Sequence, residues 1–239
     1  MEPQLMEPRS ERKGRDLIAW NEAMVERYDI ERYYEHSHGI VRWLERKRLA
    51  VLHTLAATKP GDDVLEVGCG AGHVLGQFQN VNRYGIDLSE GMLARIRRRL
   101  GDTVELTRGS AMDLPFASNS FDVVLCTEVL EHVPDPAVVV AELARVTKPN
   151  GRVIVSIPNE VNIDRAKRML RRTPILRTLL RTLASEGNEW HLHEFDLPML
   201  RRITAGSAEI RRLVGIPGRL LPLRWVAELA PTSRNGGSR

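Results

Sequence analysis

Five short stretches carry residues that could do chemistry. The first is Glu66-x-Gly68-x-Gly70-x-Gly72, directly after the apolar run Val64 to Val67. Glycines at this spacing let a chain turn sharply at a strand end and approach a ligand closely. The spacing is Gly-x-Gly-x-Gly with an acid two residues ahead, unlike the Gly-x-Gly-x-x-Gly loop of dinucleotide sites. A carboxylate there would repel a pyrophosphate and suits a ligand bearing an ammonium or sulfonium group. Asp87 follows a second strand about twenty residues on, where an acid can accept from both hydroxyls of a ribose. Asp113, in Gly109-Ser-Ala-Met-Asp-Leu-Pro-Phe116, can accept from an adenine amino group. Leu88, Met92, Met112 and Leu114 offer apolar faces for the ring. Three acids at three successive strand ends argue against solvated loop residues.

The fourth stretch is Glu128-Val-Leu-Glu131-His132. Its acids and imidazole stand at i, i+3 and i+4, so a helical turn would put them on one face. Such a set can hold a divalent cation. His132 could equally act alone as a general base, or could cap and pack the turn. The fifth stretch, Glu189-Trp-His191-Leu-His193-Glu-Phe195, adds two histidines that share a face if the chain is extended there. Cys69 and Cys126 read as small buried residues, not nucleophiles.

These stretches need elements to hold them at one place. Residues 15–57 show helical apolar spacing, then Lys59-Pro-Gly-Asp62 makes a turn. Strands are expected at 64–67, 84–87, 104–107, 121–126 and 153–157, with helices from about His73, from Glu90 to Leu100 behind an N-capping Ser89, and from Pro136 to Val146. Alternating strands and helices mean a parallel sheet covered on both faces, whose ligands collect at the carboxyl ends of the strands. Residues 197–204 read as a helix, and 210–214 with 223–229 as closing antiparallel strands. The expected divisions are a flexible polar leader (1–14), a helical cap (15–58), a ligand-binding core (59–158), a basic lid insertion (159–196), the completion of the sheet (197–230) and a tail (231–239).

As a set, these residues resemble the class I S-adenosylmethionine-dependent methyltransferases. The matching segments are Val64-Leu-Glu-Val-Gly-Cys-Gly-Ala-Gly72, Gly85-Ile-Asp-Leu-Ser89, Ala111-Met-Asp-Leu-Pro-Phe116, Phe121 to His132, and Leu143 to Arg152. The resemblance covers about residues 60–158. It implies a Rossmann-like α/β fold: a seven-stranded, mostly parallel sheet with helices on both faces and the seventh strand antiparallel. It implies that S-adenosylmethionine meets Glu66, Gly68, Gly70, Asp87, Asp113 and the backbone near Thr127. Cys69, Gly72, Leu88, Met92, Ala111 and Met112 complete the candidate cofactor residues. The Glu128–His132 segment is similar to the metal-binding turn of two such groups, one methylating ubiquinone-precursor catechols and the other terminal 2′-hydroxyls of small RNAs. The implied cation, magnesium or another divalent metal, would take Glu128, Glu131, His132 and a later histidine, His191 or His193, with His193 placed first. His132, His193 and Glu128 are then the candidate catalytic residues.

The chain has 239 residues, 35 Lys and Arg against 31 Asp and Glu, for a net +4. The excess is uneven: residues 61–160 carry 9 basic and 14 acidic side chains, residues 161–239 carry 15 and 7. Seven basic residues and no acid lie between Arg165 and Arg181, among Met169, Leu170, Ile175, Leu176, Leu179, Leu180 and Leu183. That segment can lie on an anionic membrane through residues 165–183, or cover the acceptor, or merely cover the sheet with snorkelling arginines. It has few aromatics, which disfavours nucleic acid. Tyr28, Tyr33, Tyr34, His36 and His38 could line the acceptor pocket. Two cysteines make no disulfide framework, and Met1 to Gly14 lack the apolar core of a secretory signal, so a cytoplasmic protein, in part at the membrane surface, is expected. The expected reaction is O-methylation of a small, fairly apolar acceptor, a phenolic, quinone precursor or natural product. C- or N-methylation without metal, RNA 2′-O-methylation and a non-catalytic partner subunit are the alternatives. Oligomeric state is not legible in the sequence.

Overall fold

The computed structural model describes residues 17–27, 39–171 and 191–232. Helices α1 (Leu17–Arg27) and α2 (Gly39–Ala56) lead into β1 (Asp63–Val67). Then come β2 (Asn82–Asp87), α3 (Glu90–Leu100), β3 (Glu105–Arg108), β4 (Phe121–Thr127), α4 (Pro136–Val146) and β5 (Thr147–Pro158). The chain continues through α5 (Glu160–Arg171), α6 (Leu197–Thr204), β6 (Ala208–Ile216) and β7 (Arg224–Pro231). The seven strands form one sheet in the order β3-β2-β1-β4-β5-β7-β6. Strands β1 to β5 pair in parallel, and β7 runs antiparallel to both β5 and β6. The order reverses between β1 and β4, which opens a crevice at the carboxyl ends of those strands.

The central strands are apolar at nearly every position because both faces are covered. Leu65, Val67, Val124, Cys126, Val153 and Val155 pack under α4 and α6. Their neighbours Val64, Val123, Leu125 and Ile154 pack under α2 and α3. The period-2 alternation of the pleat thus divides one run of residues between two cores.

Helix ends follow from their capping residues. Ser89 Oγ accepts from Met92 N–H at the start of α3, Asp135 caps α4 ahead of Pro136, and Asp196 caps α6. After the glycine loop the expected helix from His73 is replaced by a single 3₁₀ turn, Leu75–Gln77. Gly72 (φ +75°) bounds it on one side, and on the other Phe78 (φ −84°, ψ 113°) is already extended and ends the turn. No helix among the described residues is long and apolar enough to cross a membrane. The segment 172–190, half of the basic insertion, and Tyr28 to His38 lie outside the described residues.

Candidate functional site

A cavity of about 320 Å³ opens at the carboxyl ends of β1, β2 and β4. Its volume is that of a small-molecule site. One half is bordered by Gly68, Gly70, Asp87, Leu88, Met92, Ala111 and Met112, with Trp20, Asn21 and Val25 of α1 above them. The other half is bordered by Glu45, Arg48, Glu128, His132 and Arg224.

The first half fits a nucleoside. Gly70 (φ +49°) borders the cavity, and a Cβ built on it meets no protein atom within 4 Å, so its face is open to a ligand. Gly68 (φ +71°) serves packing instead: a Cβ there would lie 2.4 Å from Val129 Cγ2. Asp87 locks the loop to the strand end. Its Oδ2 accepts from Gly70 N–H at 2.8 Å and its Oδ1 from Ser89 N–H at 2.9 Å. Burial raises the Asp87 carboxyl above its usual range, against these two hydrogen bonds, which favour the charged form. Helix α1 is fixed over this half by Glu22, which accepts from Ser89 Oγ at 2.8 Å and from Glu90 N–H at 3.0 Å. Val25 packs on Ala71 and Met92.

Several expected cofactor residues stand behind the cavity wall. Glu66 is 2% exposed; it accepts from Leu75 N–H at 2.9 Å and from Thr127 Oγ at 3.3 Å. It therefore braces the glycine loop and does not border the cavity. Burial pushes its carboxyl up to about 8, and its hydrogen bonds do not offset this. Cys69 is buried beside Gly85, and Gly72 approaches Ile96. Burial pushes the Cys69 and Cys126 thiols up, as suits packing residues. Asp113 is exposed and is not among the residues bordering the cavity.

The Glu66 proton has a measurable consequence. The folded chain keeps it to about pH 8, whereas an unfolded chain releases it near 4.5. The resulting stability is complete below the lower value and is lost as pH rises through the upper one. Between pH 6 and 8 the loss should be on the order of 1 kcal/mol per pH unit. Glu66→Gln has no such proton to lose, so denaturant titrations at the two pH values should differ less in the variant. Equal slopes for both proteins would refute this assignment.

In the acceptor half, the Glu128 turn is not the helical face that its spacing suggests. Glu128 has φ +56°, and only Leu130–His132 form a 3₁₀ turn. Glu128 turns toward Ser156 Oγ, from which it accepts at 2.9 Å, and toward Arg224 Nε at 3.2 Å. Arg224 also bonds Glu45, which in turn pairs with Arg48 at 2.9 Å. Burial alone would raise the Glu45 carboxyl, but Arg224 and Arg48 hold it below its ordinary value. These four side chains, from α2, the β4 turn and β7, make one fixed polar network in the cavity wall.

Glu131 points inward and is 1% exposed. Its Oε2 is buried without a hydrogen-bond partner. Burial, then the charge of Glu128, pushes its carboxyl well above the usual range. Glu131, His132 and His191 each offer a ligand atom within 4.8 Å of the others. His191 Nδ1 bonds Glu160, the first residue of α5; a carboxylate only accepts, so Nδ1 is the donor, and Nε2 is the nitrogen a ligand could meet. His193 is held elsewhere, its Nε2 donating to the Val133 and Pro134 carbonyls at 2.9 and 3.1 Å. The cluster, with Glu131 buried and both histidines partly exposed, therefore unites Glu131 and His132 with His191, and leaves Glu128 and His193 outside.

Residues 65–155 match the family described as a methyltransferase domain. The chain is 42% identical over 125 residues to a ubiquinone biosynthesis O-methyltransferase of Thiobacillus denitrificans, covering 50% of each chain. It is 33% identical over 164 residues to a demethylmenaquinone methyltransferase of Symbiobacterium thermophilum, covering 64% of this chain and 63% of that protein. The chain thus spans about half to under two thirds of these curated relatives. A solved SAM-dependent methyltransferase from Aquifex aeolicus shares the fold at a TM-score of 0.60, with 18% identity over 86% of this chain and 100% of that one.

Proposed function

For a chain whose residues 65–155 form a class I S-adenosylmethionine-dependent methyltransferase domain, we propose O-methylation of a small, fairly apolar acceptor. The observation that carries this reading is the single cavity that joins the nucleoside half at Asp87 to the polar half at His132. The O-methyltransferase relative supports a hydroxyl acceptor.

Bound S-adenosylmethionine supplies a methyl group already activated on positive sulfur. Asp87 would accept from the ribose hydroxyls, and Met92 and Met112 would flank the adenine. In transfer, the acceptor oxygen bonds the methyl carbon as the carbon–sulfur bond breaks, its electron pair leaving on sulfur. Without a cation the acceptor hydroxyl proton would pass to His132, which borders the cavity. Holding both partners in line contributes up to about 7–11 kcal/mol in well-oriented systems.

Glu131, His132 and His191 fit a divalent cation, because each offers a ligand atom within 4.8 Å of the others and the Glu131 Oε2 is buried without a hydrogen bond. Such a cation would lower the acceptor hydroxyl's pKa. The Glu160 carboxylate on Nδ1 is the partner that usually orients a metal-binding histidine. EDTA should then stop methyl transfer, magnesium should restore it, and Glu131→Ala should behave like the chelated protein. Full turnover in chelator would assign the proton to His132 alone.

The overall reaction is tested by incubation with methyl-labelled S-adenosylmethionine and catechol or quinone-precursor acceptors. Label on an acceptor oxygen, with one S-adenosylhomocysteine per methyl, is the expected result. Label on carbon would move the chain toward the reaction in the name of its demethylmenaquinone methyltransferase relative.

A further inference from the structure

Few of the described large apolar side chains stand in the open, and several of them gather at one place. Ile40 and Trp43 of α2 and Leu221 are 49%, 44% and 44% exposed, and Leu220 is fully exposed. Leu220 and Leu221 form the tip of the β6–β7 loop, which closes where Leu223 N–H donates to the Ile216 carbonyl at 2.6 Å. Lys47 ties the loop to α2: its Nζ donates to the Pro217 carbonyl at 2.8 Å and lies 4.9 Å from the Trp43 ring centroid. Ile40, Trp43 and Lys47 stand at i, i+3 and i+7, so they share one helical face.

The charge of this face is one-sided. Helix α2 carries Arg42, Arg46 and Lys47 beside it, and its one acid, Glu45, is buried. The loop from 217 to 223 carries Arg219 and no acid. Exposed leucines and a tryptophan bordered by cations match a bilayer interface with anionic headgroups. Phosphate backbones also attract cations, but give no role to leucines projecting into solvent.

The position is equally informative. β6 runs parallel to β1, so the loop lies at the same edge of the sheet as the cavity. The strand leaving the loop begins with Arg224, and α2 contributes Glu45 and Arg48, all bordering the acceptor half. We propose that Ile40, Trp43, Lys47, Arg219, Leu220 and Leu221 form a docking face for an anionic lipid surface, beside the mouth of the acceptor cavity. The inference rests on the apolar-acceptor reading above, since a lipid-dissolved acceptor would reach the cavity from that surface. It uses residues distinct from the basic segment 165–183.

The test is sedimentation of the full chain with phosphatidylglycerol/phosphatidylcholine vesicles, with S-adenosylhomocysteine affinity measured for each variant. Wild type should bind these vesicles and not pure phosphatidylcholine. Leu220→Ser/Leu221→Ser should lower partitioning by about tenfold or more, the scale expected for withdrawing two leucines from an apolar phase. Its nucleoside affinity should not change, which also shows that it folds. Arg165→Ser/Arg168→Ser, on α5, should retain binding to well within tenfold of wild type. The proposal is overturned if the leucine pair has no effect, if the α5 pair alone abolishes binding, or if a single-stranded RNA binds as tightly and ignores the leucines. A chain that binds nucleoside but no vesicle overturns the docking alone. A chain that binds vesicles but no nucleoside overturns the methyltransferase reading alone.

Discussion

Asp87→Ala is expected to weaken S-adenosylhomocysteine binding by about 100-fold or more while the chain stays folded. The size follows from what one carboxylate holds. Oδ2 fixes Gly70 N–H and Oδ1 fixes Ser89 N–H, so the residue joins the glycine loop to the start of α3. Alanine removes the acceptors for the ribose hydroxyls and frees the loop at the same time. The fold should survive because Asp87 ends β2, whose pairing runs through backbone bonds to β1 and β3. Calorimetry reads the affinity, and circular dichroism with a thermal melt reads the fold. Asp87→Asn should lose affinity as well, since its one oxygen can accept from only one of Gly70 N–H and Ser89 N–H and its NH2 opposes the other. Unchanged affinity in the alanine variant would remove Asp87 from the cofactor site.

The second large effect concerns turnover alone. His132→Ala should lower kcat by about 10²–10⁴, the usual contribution of a positioned general base. Cofactor affinity should stay near wild type, because His132 borders the acceptor half of the cavity. If a cation is also lost, the variant should resemble EDTA-treated protein, and magnesium should not rescue it. A proportional loss of cofactor affinity and kcat would instead make His132 a structural residue of the turn.

The parts of this arrangement that could be read in the sequence are local in the chain. Strands β1, β4 and β5 announce themselves because burial on both faces demands continuous apolar runs. Asp87 and the loop glycines are legible because backbone chemistry fixes their spacing. The turn at Glu128 was only half legible. Its spacing fits a helix, but the left-handed Glu128 sends one carboxylate to Ser156 and Arg224 and leaves the other with His132. Spacing also could not choose between His191 and His193, because the choice depends on Glu160, 31 residues away at the start of α5, meeting the ring.

Contacts across long sequence distances left no signal. Glu45 and Arg224 are 179 residues apart, and Glu22 and Ser89 are 67 apart. Glu22, Glu45 and Arg224 lie in no motif, so nothing local marks them before the fold brings each to its partner. Glu66 shows a related limit. Its place at a strand end suggested a charge facing the ligand, whereas burial under the loop makes it a protonated brace.

Photocrosslinking of tritiated S-adenosylmethionine, followed by peptide mapping, tests the central claim most directly. The label should fall on peptides containing Asp87 to Met92 or Gly109 to Met112. Excess S-adenosylhomocysteine should suppress it, and NAD should not. Suppression by NAD, or label confined to peptides remote from the cavity, would contradict a methyl-donor site at these strand ends.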